Sequence, residues 1–207
     1  MRDFVVAMLP PTPARVLEVG CGAGKLARAL ARAGFRVTAI DPEAPEDPIF
    51  QRVLLEDFAA EVPFDAAVAS LALHHVHDLR AALEKIVGLL EPGGMLVLNE
   101  FAKDQLDEPT ARWYFHERHA LAAAFGRDPP PASFDDWWMA WRDDHAGIHD
   151  SEAMRTELDR LFERRLFVWT PYLCRYELDA ALEPLERSLI DAGAIRATGF
   201  RYAGIRH

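Results

Sequence analysis

Cysteine is nearly absent: Cys21 and Cys174 are the only two in 207 residues, and they share no paired spacing. That excludes a disulfide framework or a clustered zinc site. Basic residues are also in deficit, 23 Lys and Arg against 33 Asp and Glu, leaving a formal net charge of -10. Binding to a phosphate backbone usually requires a basic patch, so no nucleic-acid partner is expected. No stretch approaches the roughly 20 uninterrupted apolar residues of a membrane span, and the N-terminus lacks a basic region followed by an apolar core. A cytoplasmic protein without a membrane partner is the expectation. There is no internal repeat, no low-complexity tract, and no signal for an oligomeric state. With 50% apolar residues the chain can bury a full core, most simply as one domain over residues 1–207.

What is present is concentrated at Val16-Leu17-Glu18-Val19-Gly20-Cys21-Gly22-Ala23-Gly24-Lys25-Leu26. A short apolar run carrying one acid breaks into three alternate glycines. A helical pattern then opens at Lys25 with Leu26, Ala27, Leu30 and Ala31 on one face. Strand, tight turn and helix follow one another here. Glycine lets the chain turn through conformations closed to other residues and lets a ligand approach the main chain. The helix start beyond offers unpaired N–H groups to a polar or anionic ligand.

Spacing separates three readings of this turn. A phosphate-binding P-loop needs glycine at position 19 and a hydroxyl after the lysine, where the chain has Val19 and Leu26. A dinucleotide fingerprint needs glycine three places after its second glycine, where the chain has Lys25. The remaining pattern, Glu-x-Gly-x-Gly-x-Gly, resembles the first motif of the class I S-adenosylmethionine-dependent methyltransferases.

Further matches follow in the expected order. Residues 35–40 read as a β-branched strand delivering Asp41, close to the ~20-residue offset at which an acid accepts hydrogen bonds from ribose hydroxyls. Residues 50–55 read as a third strand ending in Glu56-Asp57-Phe58, and the resemblance gives Asp57 and Phe58 to adenine. Residues 64–71 read as a buried central strand running into Ala72-Leu73-His74-His75, a segment like one that the family places at its reaction centre. Asp78 is placed to cap the next helix, to Leu90. Pro92-Gly93-Gly94 before Met95 to Glu100 resembles the turn ahead of the family's fifth strand.

The resemblance implies a Rossmann-like α/β fold: a seven-stranded doubly wound sheet with the last strand antiparallel. Its core would be residues 1–101 and 161–207, with residues 102–160 inserted as a helical cap between the fifth and sixth strands. Four of the five tryptophans fall in that insertion. Pro109 suits the first turn of one of its helices, Ser133 is placed to cap a second and Asp150 a third. The implied cofactor is S-adenosylmethionine, bound by Glu18, Gly20, Cys21, Gly22, Gly24, Asp41, Asp57, Phe58, Ser70 and Leu71. The implied reaction is in-line methyl transfer to a small-molecule acceptor, with His75 and then His74 as candidates to remove a proton. His116/His119 and His145/His149 have helical spacing but no third convergent ligand, so no metal is expected. A nicotinamide-dependent oxidoreductase and a non-catalytic S-adenosylmethionine-binding module stand as alternatives.

Overall fold

Apolar strands alternate with amphipathic helices along the first hundred residues, and parallel pairing of those strands follows. The computed structural model describes every residue except Glu177. Strands β1 (Arg15–Val19), β2 (Arg36–Ile40), β3 (Phe50–Gln51), β4 (Phe64–Ser70), β5 (Leu90–Phe101), β6 (Phe162–Thr170) and β7 (Gly199–Arg206) form one sheet in the order β3-β2-β1-β4-β5-β7-β6. β1 pairs in parallel with β2 and with β4, with Val16 opposite Val37 on one side and Ala66 on the other. Residues 66–69 of β4, Ala-Ala-Val-Ala, are fully buried, as expected of a central strand covered on both faces.

The last strand runs the other way. Near one end of the β5–β7 pair the Arg206 guanidinium donates to Leu90 O, and near the other the Ala102 N–H donates to Thr198 O at 2.8 Å. His207 N–H reaches Leu161 O beside β6. The result is the seven-stranded mixed sheet with its final strand antiparallel.

Helix α1 (Arg2–Met8) precedes β1, α2 (Lys25–Arg32) joins β1 to β2, and α3 (Leu79–Leu89) joins β4 to β5. Asp78 caps α3, its carboxylate accepting from Ala81 N–H at 2.9 Å. The third strand is shorter than its sequence pattern: pairing stops at Gln51, and residues 55–57 form a turn. Phe58 is buried there beside the Phe64 ring, with centroids 6.3 Å apart.

The described chain folds into two compact units. The first comprises Met1–Glu100, Glu152–Val168 and Arg201–His207. The second comprises Phe101–Ser151 and Trp169–Phe200. It holds helices α4 (Glu108–Phe125), α5 (Phe134–Asp144), α7 (Leu173–Tyr176) and α8 (Glu183–Asp191), whereas α6 (Ser151–Leu161) groups almost wholly with the first. The second unit's core is aromatic: Phe101, Tyr114, Phe115, Trp137, Trp141 and Tyr172 are all buried. Pro109 lies in the first turn of α4, and Ser133 Oγ accepts from Asp136 N–H at the start of α5. At the start of α6 the acceptor is Asp104, which takes both the N–H and the Oγ–H of Ser151 at 2.7 Å. No helix among the described residues is long and apolar enough to cross a membrane.

Glu186 ties the second unit's C-terminal segment together. Its side chain is fully buried and accepts from the N–H groups of Tyr172, Leu173 and Cys174 at 2.8, 3.1 and 2.8 Å. Those three groups start α7 and have no helical carbonyl to meet them. Truncating the carboxylate strands buried donors, at about 1–3 kcal/mol each. Glu186→Ala is therefore expected to lower unfolding free energy by at least about 3 kcal/mol in denaturant titration; a change below about 1 kcal/mol would show that water replaces the carboxylate.

Candidate active site

Strand order reverses between β1 and β4, and in open α/β sheets the crevice beyond such a reversal is where ligands bind. A cleft of about 800 Å³ opens there, within the first unit. Its lining comes from three strand ends: Val19, Gly20, Cys21 and Gly22 after β1, Ile40, Asp41 and Pro42 after β2, and Ser70, Leu71, Ala72 and His75 after β4. Residues 53–56, with Val76 and His77 beyond His75, complete it.

The glycine turn has the backbone its composition allows. Gly20, Gly22 and Gly24 have φ of 71°, 47° and 73°, which side-chain-bearing residues rarely adopt. A Cβ on Gly20 would sit 2.6 Å from the Ala72 Cβ, so the turns after β1 and β4 touch through a gap only glycine leaves. At Gly22 nothing lies within 4 Å, and the main chain is open to a ligand. Gly24 is packed differently: its missing side chain is replaced by the Phe50 ring, and it lies outside the cleft lining.

Two carboxylates serve this turn. Asp41 Oδ2 accepts from Gly22 N–H at 2.9 Å and Oδ1 from Glu43 N–H at 2.8 Å, so each oxygen keeps a further lone pair. Glu18 lies beneath, 3% exposed, and Ala27 N–H donates to its carboxylate while Oε2 meets no protein partner. Burial pushes its carboxyl up to about 8, against the Ala27 bond and helped by the negative charge of Asp41. Cys21 is pushed up to about 12, first by burial and then by Glu18 and Asp41, so its thiol holds its proton and is no nucleophile.

The turn after β4 is held from β5. Leu71 N–H donates to Asn99 O at 2.9 Å, and Ala72 and Leu73 N–H donate to Glu100 Oε1 at 3.1 and 3.0 Å. Glu100 Oε2 lies 2.6 Å from His74 Nδ1. Leu71 has φ of 58°, a left-handed conformation that costs a non-glycine residue about 1–3 kcal/mol and that surrounding structure must enforce. His74 is buried at 4% exposure, whereas His75 is exposed and lines the cleft. The two rings lie 4.1 Å apart, tilted by 42°.

The structure thus brings Gly20, Cys21, Gly22, Asp41, Ser70, Leu71 and His75 to one cleft, with Glu18 below it. Asp57 and Phe58 are not part of the lining, because the short β3 lets Leu54, Leu55 and Glu56 reach it first. His74 is turned into the protein against Glu100, a residue that the sequence did not mark. His119 Nε2 lies 3.2 Å from Pro131 O and His145 Nδ1 lies 2.8 Å from Trp141 O, so each is engaged with a backbone carbonyl.

Residues 1–168 match the family described as methyltransferase domain. The chain belongs to that family. Among its relatives is an uncharacterized methyltransferase of Mycobacterium tuberculosis (strain ATCC 25618 / H37Rv), 43% identical over 114 residues, covering 48% of this chain and 57% of the relative. A ubiquinone biosynthesis O-methyltransferase of Xanthomonas campestris pv. campestris (strain B100) is 42% identical over 113 residues, 47% of each chain. The chain spans about half the length of the curated relatives it matches. The crystal structure of an S-adenosylmethionine-dependent methyltransferase from Mesorhizobium loti shares the fold, with a TM-score of 0.60, 20% identity and coverage of 99% and 96% of the two chains.

A test of the site's electrostatics follows from Glu18. Its folded form keeps a proton up to about pH 8, while in the unfolded chain a glutamate loses it near 4.3. Between those values the folded state binds more protons, so raising pH destabilises it by up to about 1.4 kcal/mol per pH unit, and above pH 8 the loss levels off. Glu18→Gln, uncharged throughout, is expected to gain in melting temperature relative to wild type from pH 5 to pH 8. Parallel curves for the two proteins across that range would contradict a protonated Glu18.

Proposed function

We propose that this methyltransferase moves the S-adenosylmethionine methyl group to an oxygen or nitrogen of a small-molecule acceptor by in-line displacement. The observation that carries this is the cleft at the strand reversal, where open main chain at Gly22, the Asp41 carboxylate and the His75 ring meet. The cofactor supplies a methyl already activated by its sulfonium, so the chain's task is to bind, orient and exclude water.

In this reading the Gly20–Gly22 backbone holds the polar end of the cofactor, with Glu18 as a neutral support below. Asp41 offers its remaining lone pairs to the ribose hydroxyls. Leu54, Leu55, Glu56 and Leu71 border the adenine position. Asp57 and Phe58 act from behind, their N–H groups donating to Leu54 O at 3.2 and 3.1 Å and closing the turn that presents Leu55 and Glu56. Ser70 closes the inner wall. His75 accepts the acceptor's proton where the nucleophile needs to lose one.

The net charge of -10 supports a small acceptor over a nucleic acid, and two buried free thiols fit a reducing cytoplasm. The likeness to an O-methyltransferase supports an oxygen nucleophile.

Incubation with S-adenosylmethionine and a panel of small hydroxyl and amine compounds, read by mass spectrometry, should yield a singly methylated product, with or without a chelator. His75→Ala should lower turnover by about 10²–10⁴-fold where a base is needed. Loss of activity with chelator and its rescue by a divalent ion would overturn the metal-free reading, and unchanged turnover in His75→Ala would remove that histidine from proton transfer.

A further inference from the structure

We propose that Glu100 is the positioning residue of this active site, with His74 as its partner rather than a proton acceptor from substrate. The proposal rests on the methyltransferase reading and deepens it. Two consecutive residues of β5 hold the start of the turn after β4: Asn99 O receives Leu71 N–H, and Glu100 receives Ala72 N–H, Leu73 N–H and the His74 ring. Both ends of this link matter for chemistry. The turn's Leu71, Ala72 and His75 line the cleft, while Glu100 and His74 lie behind it at 1% and 4% exposure.

Three features make this a device for placing groups. First, Leu71 is held left-handed without being glycine, so the relaxed turn would move its neighbours. Second, Ala72 lies against Gly20 with no room for a Cβ between them, so displacing Ala72 moves one wall of the cleft relative to the glycine turn. Third, the His75 ring packs with its centroid 4.1 Å from that of His74, whose Nδ1 lies 2.6 Å from Glu100 Oε2. One carboxylate therefore couples the cofactor wall to the candidate base. His74 is buried and its Nδ1 faces Glu100, so the assignment of proton removal to His74 gives way to a supporting role.

Glu100→Ala, Glu100→Gln and His74→Ala separate this from simple stabilisation, when S-adenosylhomocysteine affinity and steady-state kinetics are measured at a temperature where circular dichroism shows each variant folded. Glu100→Ala should bind S-adenosylhomocysteine at least about tenfold more weakly and lose turnover. Glu100→Gln should recover affinity to within about threefold, because an amide oxygen still accepts the Ala72 and Leu73 N–H groups. His74→Ala keeps those two bonds but removes the ring beside His75, so kcat should fall with affinity within about threefold of wild type. If Glu100→Ala does not fold, the other two variants decide the matter. Wild-type affinity and kcat in a folded Glu100→Ala, equal impairment in Glu100→Ala and Glu100→Gln, or unchanged kcat in His74→Ala would each overturn the proposal. A wild type that binds neither S-adenosylmethionine nor S-adenosylhomocysteine would overturn the methyltransferase reading beneath it.

Discussion

The buried carboxylate of Glu100 is the interaction on which the candidate active site depends. A parallel sheet delivers its strand ends to one edge, but it does not by itself fix the loops that leave them. Here the end of β5 reaches across to the turn after β4 and satisfies two backbone donors and one imidazole nitrogen with a single side chain. With the turn so held, Ala72 meets Gly20, Leu71 stays in a strained conformation, and His75 stands at the cleft. A buried carboxyl group with fewer partners would be costly; this one has three.

Charge around the cleft is arranged in layers. Asp41, at the cleft wall, ties the glycine turn to the end of β2 and keeps acceptor capacity in reserve. Glu18, deeper, is held neutral at physiological pH by burial and by that nearby carboxylate. The base of the glycine turn therefore adds little negative charge, which spares an anionic ligand group there from repulsion. The second unit uses the same device as the first: Glu186, like Glu100, gathers backbone N–H groups from a neighbouring segment onto one buried carboxylate.

What was legible in the sequence was local. The three glycines, Asp41 at the end of a β-branched strand, the Asp78 cap and the Pro-Gly-Gly turn each act within a few residues, and pattern reveals such features. The seven-stranded sheet with its last strand antiparallel followed from resemblance to a family, since no short pattern encodes it. The extent of β3 was not legible, because an edge strand ends where its partner stops pairing, at Ile40 opposite Gln51. Asp57 and Phe58 were marked by an acid beside an aromatic, yet a turn of three residues shifts which side chains reach the cleft. Glu100 and Glu186 gave no signal because their partners lie 26–28 and 12–14 residues away. An acid following an apolar strand pattern looks like a surface residue until the fold buries it. His75 stood ahead of His74 in the sequence reading, but their different settings, one exposed at the cleft and one buried against Glu100, emerge only in the fold.

In the proposed function, one cleft, built by the glycine turn, Asp41 and the turn held by Glu100, receives the adenosyl cofactor. A crystal structure of the chain with S-adenosylhomocysteine tests it most directly. The ligand is expected along Gly20 to Gly22, with both ribose hydroxyls within hydrogen-bond distance of Asp41, adenine beside Leu55 and Glu56, and the Glu100 bonds to Ala72, Leu73 and His74 intact. Ligand density elsewhere on the chain, or ribose hydroxyls out of reach of Asp41, would contradict it.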